Sequence, residues 1–245
     1  SLGGTFGITG ILPTINFIHE WKNGSRELEH GYFRFVPPRQ VRDLQRSLSA
    51  RSNARHALAY CSGRTALFEL LIYLRESRPQ TNLYYTANST LIPEALQDMG
   101  IPCHSLNLEK SDELEKLSAK QGDVLLLTME DPETFLKEKT EWLGELKRIR
   151  VPVIIFSACL PIFEEWPSGL TYWVSNITTP DSNANLFGIE GGVILSNADR
   201  QIAELIEMRK RSGPILSARN AAVFLEFAQN ENDDFSNNAD LSQAI

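Results

Sequence analysis

The chain has 245 residues, of which 42% are hydrophobic and 22% are charged, and its formal net charge is -7. This length can bury one large core or two small ones, and a negative charge without a basic stripe argues against nucleic acid or an anionic membrane as partner. We expect no membrane span, because no run of about 18 apolar residues occurs. Three widely spaced cysteines (Cys61, Cys103, Cys159) lack metal-site spacing, which indicates reduced thiols in a cytoplasmic protein without zinc.

The chain divides into three parts by pattern. Residues 1–38 show weak periodicity and end in Pro37-Pro38, which indicates an irregular N-terminal arm. Residues 39–229 alternate predicted strands and helices, and residues 230–245 form a polar, acidic tail. The predicted helices are Arg39–Asn53, Ala66–Leu74, Leu91–Met99, Ser111–Leu117, Glu138–Ile149, Asp199–Arg211 and Ala218–Phe227. The predicted strands are His56–Tyr60, Asn82–Tyr85, Ile101–Leu106, Asp123–Thr128, Val151–Phe156, Tyr172–Val174 and Gly192–Leu195.

Repeated strand–helix units with short loops predict an α/β fold: a doubly wound, mostly parallel sheet with helices on both faces. The apolar run Asp123–Thr128 suits a strand covered on both sides, and Pro102 makes Ile101–Leu106 a strand that tolerates an edge position. Ligands bind such sheets at the carboxyl ends of the strands. Four segments that follow strands are therefore expected to face one crevice: the Ser62-Gly63 turn and residues 130–132, 157–159 and 176–178.

The segment Tyr60–Leu71 predicts a strand end, a tight turn and the start of an amphipathic helix. Ser62 and Gly63 leave little side-chain bulk at the helix start, where backbone N–H groups and the helix dipole favour an anion such as phosphate. The alternative is purely structural: Ser62 is an N-cap and Gly63 eases the turn. The segment by itself is compatible with both interpretations.

Several short motifs, together with the order of elements, resemble a known family. They are Leu12-Pro13-Thr14, Gly31-Tyr32-Phe33-Arg34-Phe35, Ser62-Gly63-Arg64-Thr65-Ala66, Met129-Glu130-Asp131-Pro132 and Gly191-Gly192-Val193-Ile194. They resemble fold-type-I pyridoxal-phosphate transferases, especially the Cys/Met-metabolism group that includes cystathionine gamma-synthase and related lyases. A sugar-aminotransferase-like interpretation of Ser62–Arg64 and Glu190–Gly192 shares the fold.

The resemblance implies a set of cofactor-binding residues. Ser62, Gly63 and Arg64 would form a phosphate cup, with backbone N–H groups from Gly63 and Arg64. Tyr32 and Arg34 would reach the phosphate of a neighbouring subunit, which implies a homo-oligomer; the alternative is a buried aromatic beside a surface salt bridge. Tyr85 lies near the position at which the family stacks an aromatic on the cofactor ring, although a core tyrosine also fits.

Two groups that pyridoxal-phosphate chemistry requires do not stand where the resemblance places them. A lysine must form the Schiff base, and a carboxylate must pair with the ring nitrogen. Phe156 or Ser157 occupies the carboxylate position, and Asp181 or Ala184, depending on spacing, occupies the lysine position. No lysine occurs between Lys147 and Lys210, so this loop cannot form an aldimine.

Three hypotheses follow. The first is a degenerate, non-catalytic relative. It would bind pyridoxal phosphate non-covalently or another phosphate-bearing ligand. Alternatively, it would serve as a partner or scaffold subunit, in a homo-oligomer or in a complex with a catalytically competent relative. The second is a pyridoxal-phosphate-dependent transsulfuration-type lyase or synthase, or an aminotransferase, whose lysine comes from elsewhere, such as a partner chain. The third is a purely structural role in an oligomer.

Overall fold

The structure, a computed structural model, describes residues 37–78, 82–86, 96, 100–106, 117, 123–129, 149–158, 160–161, 163–177 and 189–230. These residues form helices α1 (Arg39–Arg51), α2 (Gly63–Ser77), α3 (Asp199–Ser212) and α4 (Ala218–Asn230). Their strands are β1 (His56–Tyr60), β2 (Leu83–Thr86), β3 (Cys103–Leu106), β4 (Val124–Met129), β5 (Val153–Ser157), β6 (Leu170–Ile177) and β7 (Gly191–Ser196). No helix in these ranges is long and apolar enough to cross a bilayer.

The seven strands form one sheet in the order β1-β7-β6-β5-β4-β2-β3. Strand β7 is antiparallel to both of its neighbours, and the other described pairs are parallel. The predicted mostly parallel sheet is therefore confirmed. Since β7 runs against both β1 and β6, those two strands point the same way, and their carboxyl ends meet at one edge of the sheet.

Helices cover both faces of the sheet, as the doubly wound prediction requires. On one face α1 and α4 pack over a core that includes Leu44, Trp173 and Phe224. On the other face α2 and α3 pack over a second core that includes Leu70 and Leu205. Burial on both sides explains the uninterrupted apolar run in β4, whose residues 124–127 are all buried.

Element boundaries follow local chemistry. In α1 the residues Val41, Leu44 and Leu48 share the buried face, at the spacing that predicted the helix. Helix α3 ends at Gly213, which adopts the left-handed conformation with φ 80°. Strand β3 lies at the sheet edge and begins directly after Pro102, which agrees with a strand that tolerates an edge position.

Strand β6 is longer than predicted, Leu170–Ile177 instead of Tyr172–Val174. The prediction stopped where the polar residues Ser175 and Asn176 interrupt the apolar run. Those residues stay in the ladder because β6 pairs with β5 as far as Ser175 and with β7 as far as Ile177. Backbone pairing, rather than side-chain polarity, sets the length of this strand.

An arginine is buried between α3, β1 and α1. Arg209 is 2% exposed, and its Nη1 donates to the Ala59 carbonyl at 2.9 Å and to Gln45 Oε1 at 3.2 Å. Its guanidinium lies 5.4 Å from the centroid of the Tyr60 ring. Burial lowers the pKa of Arg209, and the nearby Tyr60 and Glu69 oppose that shift. The arginine thus supplies a hydrogen bond to a carbonyl of the edge strand β1.

Several predictions fall outside the described residues. These are the N-terminal arm with Tyr32 and Arg34, the loop with Asp181 and Ala184, Cys159, the 130–132 segment and the acidic tail. The helices predicted at Leu91–Met99, Ser111–Leu117 and Glu138–Ile149 also fall outside, except for single residues of each. The division of the chain into arm, domain and tail stays a prediction.

Candidate functional site

The carboxyl edge of the sheet brings together the end of β1, the start of β7 and the end of β6. Gly192 pairs with Tyr60 on one side and with Asn176 on the other. The ends of β5 and β4 follow in the same direction, since both run parallel to β6. Three of the four predicted crevice segments have described members, and these, Ser62, Ser157 and Asn176 among them, therefore lie at one edge.

Ser62 is the N-cap residue of α2. Its extended backbone (φ -156°, ψ 161°) ends the strand segment, and its Oγ accepts a hydrogen bond from the Thr65 N–H at 3.1 Å. Ser62 Oγ also lies 2.8 Å from Thr65 Oγ1, and the Cys61 thiol lies 3.5 Å from that same hydroxyl. The structural role predicted for Ser62 is confirmed, and the cap satisfies the third amide of the helix.

Gly192 lets the turn cross over the sheet. A Cβ added at this residue would overlap the carbonyl group of Ser62 and the nitrogen of Gly63. The Ser62–Gly63 peptide therefore rests directly on the backbone of β7. Because β7 lies between β1 and β6, this crossing carries the first residue of α2 from the end of β1 to the end of β6.

Gly63 contacts Asn176 at the end of β6. The Gly63 N–H donates to Asn176 Oδ1 at 3.1 Å. A Cβ at Gly63 would overlap that oxygen and lie 2.9 Å from the backbone nitrogen of Asn176. Gly63 is buried and Asn176 is half-buried. The N–H that the resemblance assigns to a phosphate is thus bonded to a side chain of the protein itself.

Sequence reasoning placed residues 176–178 in the crevice and gave Asn176 no role. One signal for it was present: side chains alternate along a strand, so Asn176 shares the face of Tyr172 and Val174, which is the face covered by α2. A polar residue at the end of that buried row needs a partner at the start of α2.

Arg64 extends along the helix. Its guanidinium lies 5.2 Å from the centroid of the Phe68 ring, one turn further on, and the residue is exposed. This is a cation–π contact at a solvent-facing position, worth about 0.5–1 kcal/mol. The Arg64 side chain therefore packs on its own helix, while its backbone remains at the second position of α2.

Phe156 and Ser157 lie on opposite faces at the end of β5. Phe156 packs with the core beneath α2, on the face of Asn176, whereas Ser157 follows Val153 and Ile155 on the other face and is 4% exposed. Of the two positions that sequence spacing allowed for a carboxylate, Phe156 is the one on the side of the turn. That position carries an apolar ring.

Tyr85 lies apart from the turn. It is half-buried at the end of β2 and packs against the core beneath α2. Strands β4 and β5 separate β2 from β6, which puts β2 about 14 Å from Asn176 at the usual strand spacing of about 4.8 Å. The described residues bring Ser62, Gly63 and Arg64 together, with Asn176 as a fourth member, and place Tyr85 elsewhere. They also contain no group of three His, Cys, Asp or Glu side chains that could hold a metal ion.

Comparisons with known proteins establish the fold. No family model matches the sequence, and no curated protein matches it. The cystathionine gamma lyase CalE6 of Micromonospora echinospora superposes with a TM-score of 0.62 at 18% identity, over 81% of this chain and 53% of that one. MetB of Corynebacterium glutamicum superposes with a TM-score of 0.61 at 18% identity, over 82% of this chain and 53% of that one. The O-acetylhomoserine sulfhydrylase of Wolinella succinogenes superposes with a TM-score of 0.59 at 17% identity, over 78% of this chain and 62% of that one.

These solved structures share the architecture that the motifs predicted. The fold is that of the large domain of fold-type-I pyridoxal-phosphate transferases, and the neighbours carry names from Cys/Met metabolism. The matched part of the chain spans a little over half the length of each of these enzymes. At 17–18% identity the likeness concerns the fold, and function has to be argued from the residues of this chain.

Proposed function

We propose that this chain is a non-catalytic protein with the fold-type-I transferase fold, which acts as a partner subunit and forms no aldimine. The observation that carries this proposal is the lysine-free stretch between Lys147 and Lys210. That stretch includes β5, β6, β7 and every residue that joins them. Aldimine chemistry needs an amine at the cofactor, and the segments that join β5, β6 and β7 supply none.

Two further features support the proposal. Phe156 stands at the end of β5 on the side of the turn, and an apolar ring cannot keep a pyridinium nitrogen protonated. The first and third amides of α2 already donate to Asn176 and Ser62. These described residues therefore argue against pyridoxal phosphate as a cofactor that is held through the first and third amides of α2 with its ring nitrogen paired at Phe156.

The proposal is tested by incubating the purified chain with pyridoxal phosphate, reducing it with borohydride and mapping pyridoxyl-lysine by mass spectrometry. We expect no imine absorption band and no lysine that is modified stoichiometrically. The matched control is the same chain treated in denaturant, which reports the reactivity of solvent-exposed lysines.

One lysine modified to completion in the native chain, but not in the denatured chain, would contradict the proposal. Such a result would also locate the amine, because the peptide map identifies the residue. Turnover of cystathionine or an O-acylhomoserine by the purified chain would contradict it independently.

A further inference from the structure

At the start of α2, side-chain oxygens of the protein accept hydrogen bonds from the backbone N–H groups of the helix. The backbone N–H groups in the first turn of a helix have no partner within the helix, and they point toward the position where an anion binds. Here the Gly63 N–H donates to Asn176 Oδ1 at 3.1 Å, and the Thr65 N–H donates to Ser62 Oγ at 3.1 Å. Two neutral side-chain oxygens therefore take the place of the oxygens of an anion.

Ser62 and Asn176 differ in where they come from. Ser62 caps its own helix, as serine does in many proteins, and this cap leaves the first amide available. Asn176 belongs to β6, two strands away from β1, and reaches Gly63 only because the turn crosses Gly192. Its contact occupies the first amide, so two of the first three amides of α2 donate to side chains.

The Asn176 side chain packs tightly against Gly63. Atoms of Asn176 lie within 3.0 Å of the position of a Cβ on Gly63, and the backbone of β7 lies directly beneath the Ser62–Gly63 peptide. An anion can reach the Gly63 N–H only after the Asn176 side chain rotates away. That rotation exchanges one hydrogen bond for another, so an anion gains little from binding.

We propose that Asn176 is an internal acceptor that occupies the anion position at the start of α2 and prevents this edge from binding a phosphate group. The proposal deepens the proposed function and rests on it for the location of the site. It makes Asn176 a specificity-determining residue, because its side chain determines whether the turn binds an anion or has only a structural role.

The test is a titration with inorganic phosphate of the wild-type chain and of Asn176→Ala, followed through the amide resonance of Gly63 and the thermal unfolding midpoint. We expect no saturable shift in the wild type. In Asn176→Ala we expect binding tighter by about tenfold or more, the value of one hydrogen bond to a charged group.

The matched control is Asn197→Ala. Asn197 also accepts a backbone hydrogen bond, from the Arg55 N–H at 2.6 Å, but it follows the other end of β7. We expect Asn197→Ala to respond to phosphate as the wild type does. Equal gains in both variants would indicate a general effect of destabilisation and would overturn the proposal.

Two other results would overturn it: a saturable Gly63 shift in the wild type as large as in Asn176→Ala, or no gain of binding in Asn176→Ala. If that variant does not fold, Asn176→Asp keeps the shape and puts a negative charge at the helix start. We expect a higher unfolding midpoint than in the wild type near neutral pH, which disappears when the carboxylate is protonated. An unchanged or lower midpoint in that variant would also overturn the proposal.

The outcome is independent of the lysine experiment. A stoichiometric pyridoxyl-lysine in a chain whose Gly63 resonance ignores phosphate would reject the proposed function and leave the role of Asn176 intact. If the wild-type Gly63 resonance responds to phosphate and no pyridoxyl adduct forms, the role of Asn176 is rejected and the proposed function is kept.

Discussion

Gly192 is the residue on which the geometry of the turn depends. Its Cα lies under the Ser62–Gly63 peptide, where a methyl group would overlap backbone atoms that have no freedom to move aside. We expect Gly192→Ala to lower the free energy of unfolding by about 1–3 kcal/mol, the usual cost of overpacking, and to speed hydrogen exchange at the Gly63 amide. Urea denaturation and amide exchange measure the two effects.

Gly213→Ala is the appropriate comparison for that variant. Gly213 has φ 80° and no atom within 4 Å of an added Cβ, so its substitution costs about 1–2 kcal/mol through backbone conformation alone. Exchange at the Gly63 amide should not change in it. A Gly192→Ala chain with wild-type stability and wild-type exchange would refute the close approach.

The residues of the turn were predictable to different degrees. Ser62 and Gly63 are recognisable from the sequence because a cap and a small residue act on their immediate neighbours. The Gly63–Asn176 bond joins residues that are 113 positions apart and requires the register of three strands. Local pattern therefore located the turn and missed the residue that completes it.

At the scale of elements, Arg209 ties α3 to the edge strand β1. The Ala59 carbonyl and Gln45 Oε1 accept its hydrogen bonds inside the protein. We expect Arg209→Met to lower the free energy of unfolding by about 1–3 kcal/mol, because a side chain of similar length leaves the Ala59 carbonyl buried without its donor. Chemical denaturation of both chains measures the loss.

Arg200→Met separates this effect from the loss of a charge. Arg200 lies on the same helix and forms an exposed ion pair with Glu204 at 3.0 Å, which solvent screens, so the pair adds little to stability. Equal losses in the two variants would show that the buried hydrogen bonds of Arg209 add nothing.

Elements were predictable where their apolar pattern agrees with their pairing. Strand β4 and helix α1 match their predictions closely, since burial decides both the sequence pattern and the structure. Strand β6 exceeds its prediction because pairing with β7 as far as Ile177 holds polar residues in the ladder. The position of β7 between β1 and β6 could not be derived, because sequence periodicity carries no information about strand order.

At the scale of the whole molecule, the proposed role requires an assembly. We expect sedimentation of the purified chain to give a mass of at least twice its 27.6 kDa, or the chain to co-purify with a catalytically competent relative when the two are expressed together. The resemblance supplies the reason, since Tyr32 and Arg34 are expected to contact a neighbouring subunit.

Dilution over a wide concentration range distinguishes a specific assembly from weak self-association. A specific assembly should keep its mass until a defined dissociation range, whereas non-specific association should fall steadily. A chain that remains a monomer at all concentrations and retains no relative would contradict the partner role.

The pairing of β1 with β7 affects how this protein is made. Residue 57 finds its strand partner at residue 195, so β1 leaves the ribosome long before its hydrogen-bonding neighbour has been synthesised. Until then its apolar residues Leu58 and Ala59 and an open strand edge stay exposed, which is the state most prone to aggregation. Such distant pairings also slow folding. Production of the chain should therefore improve with chaperones that protect nascent strands.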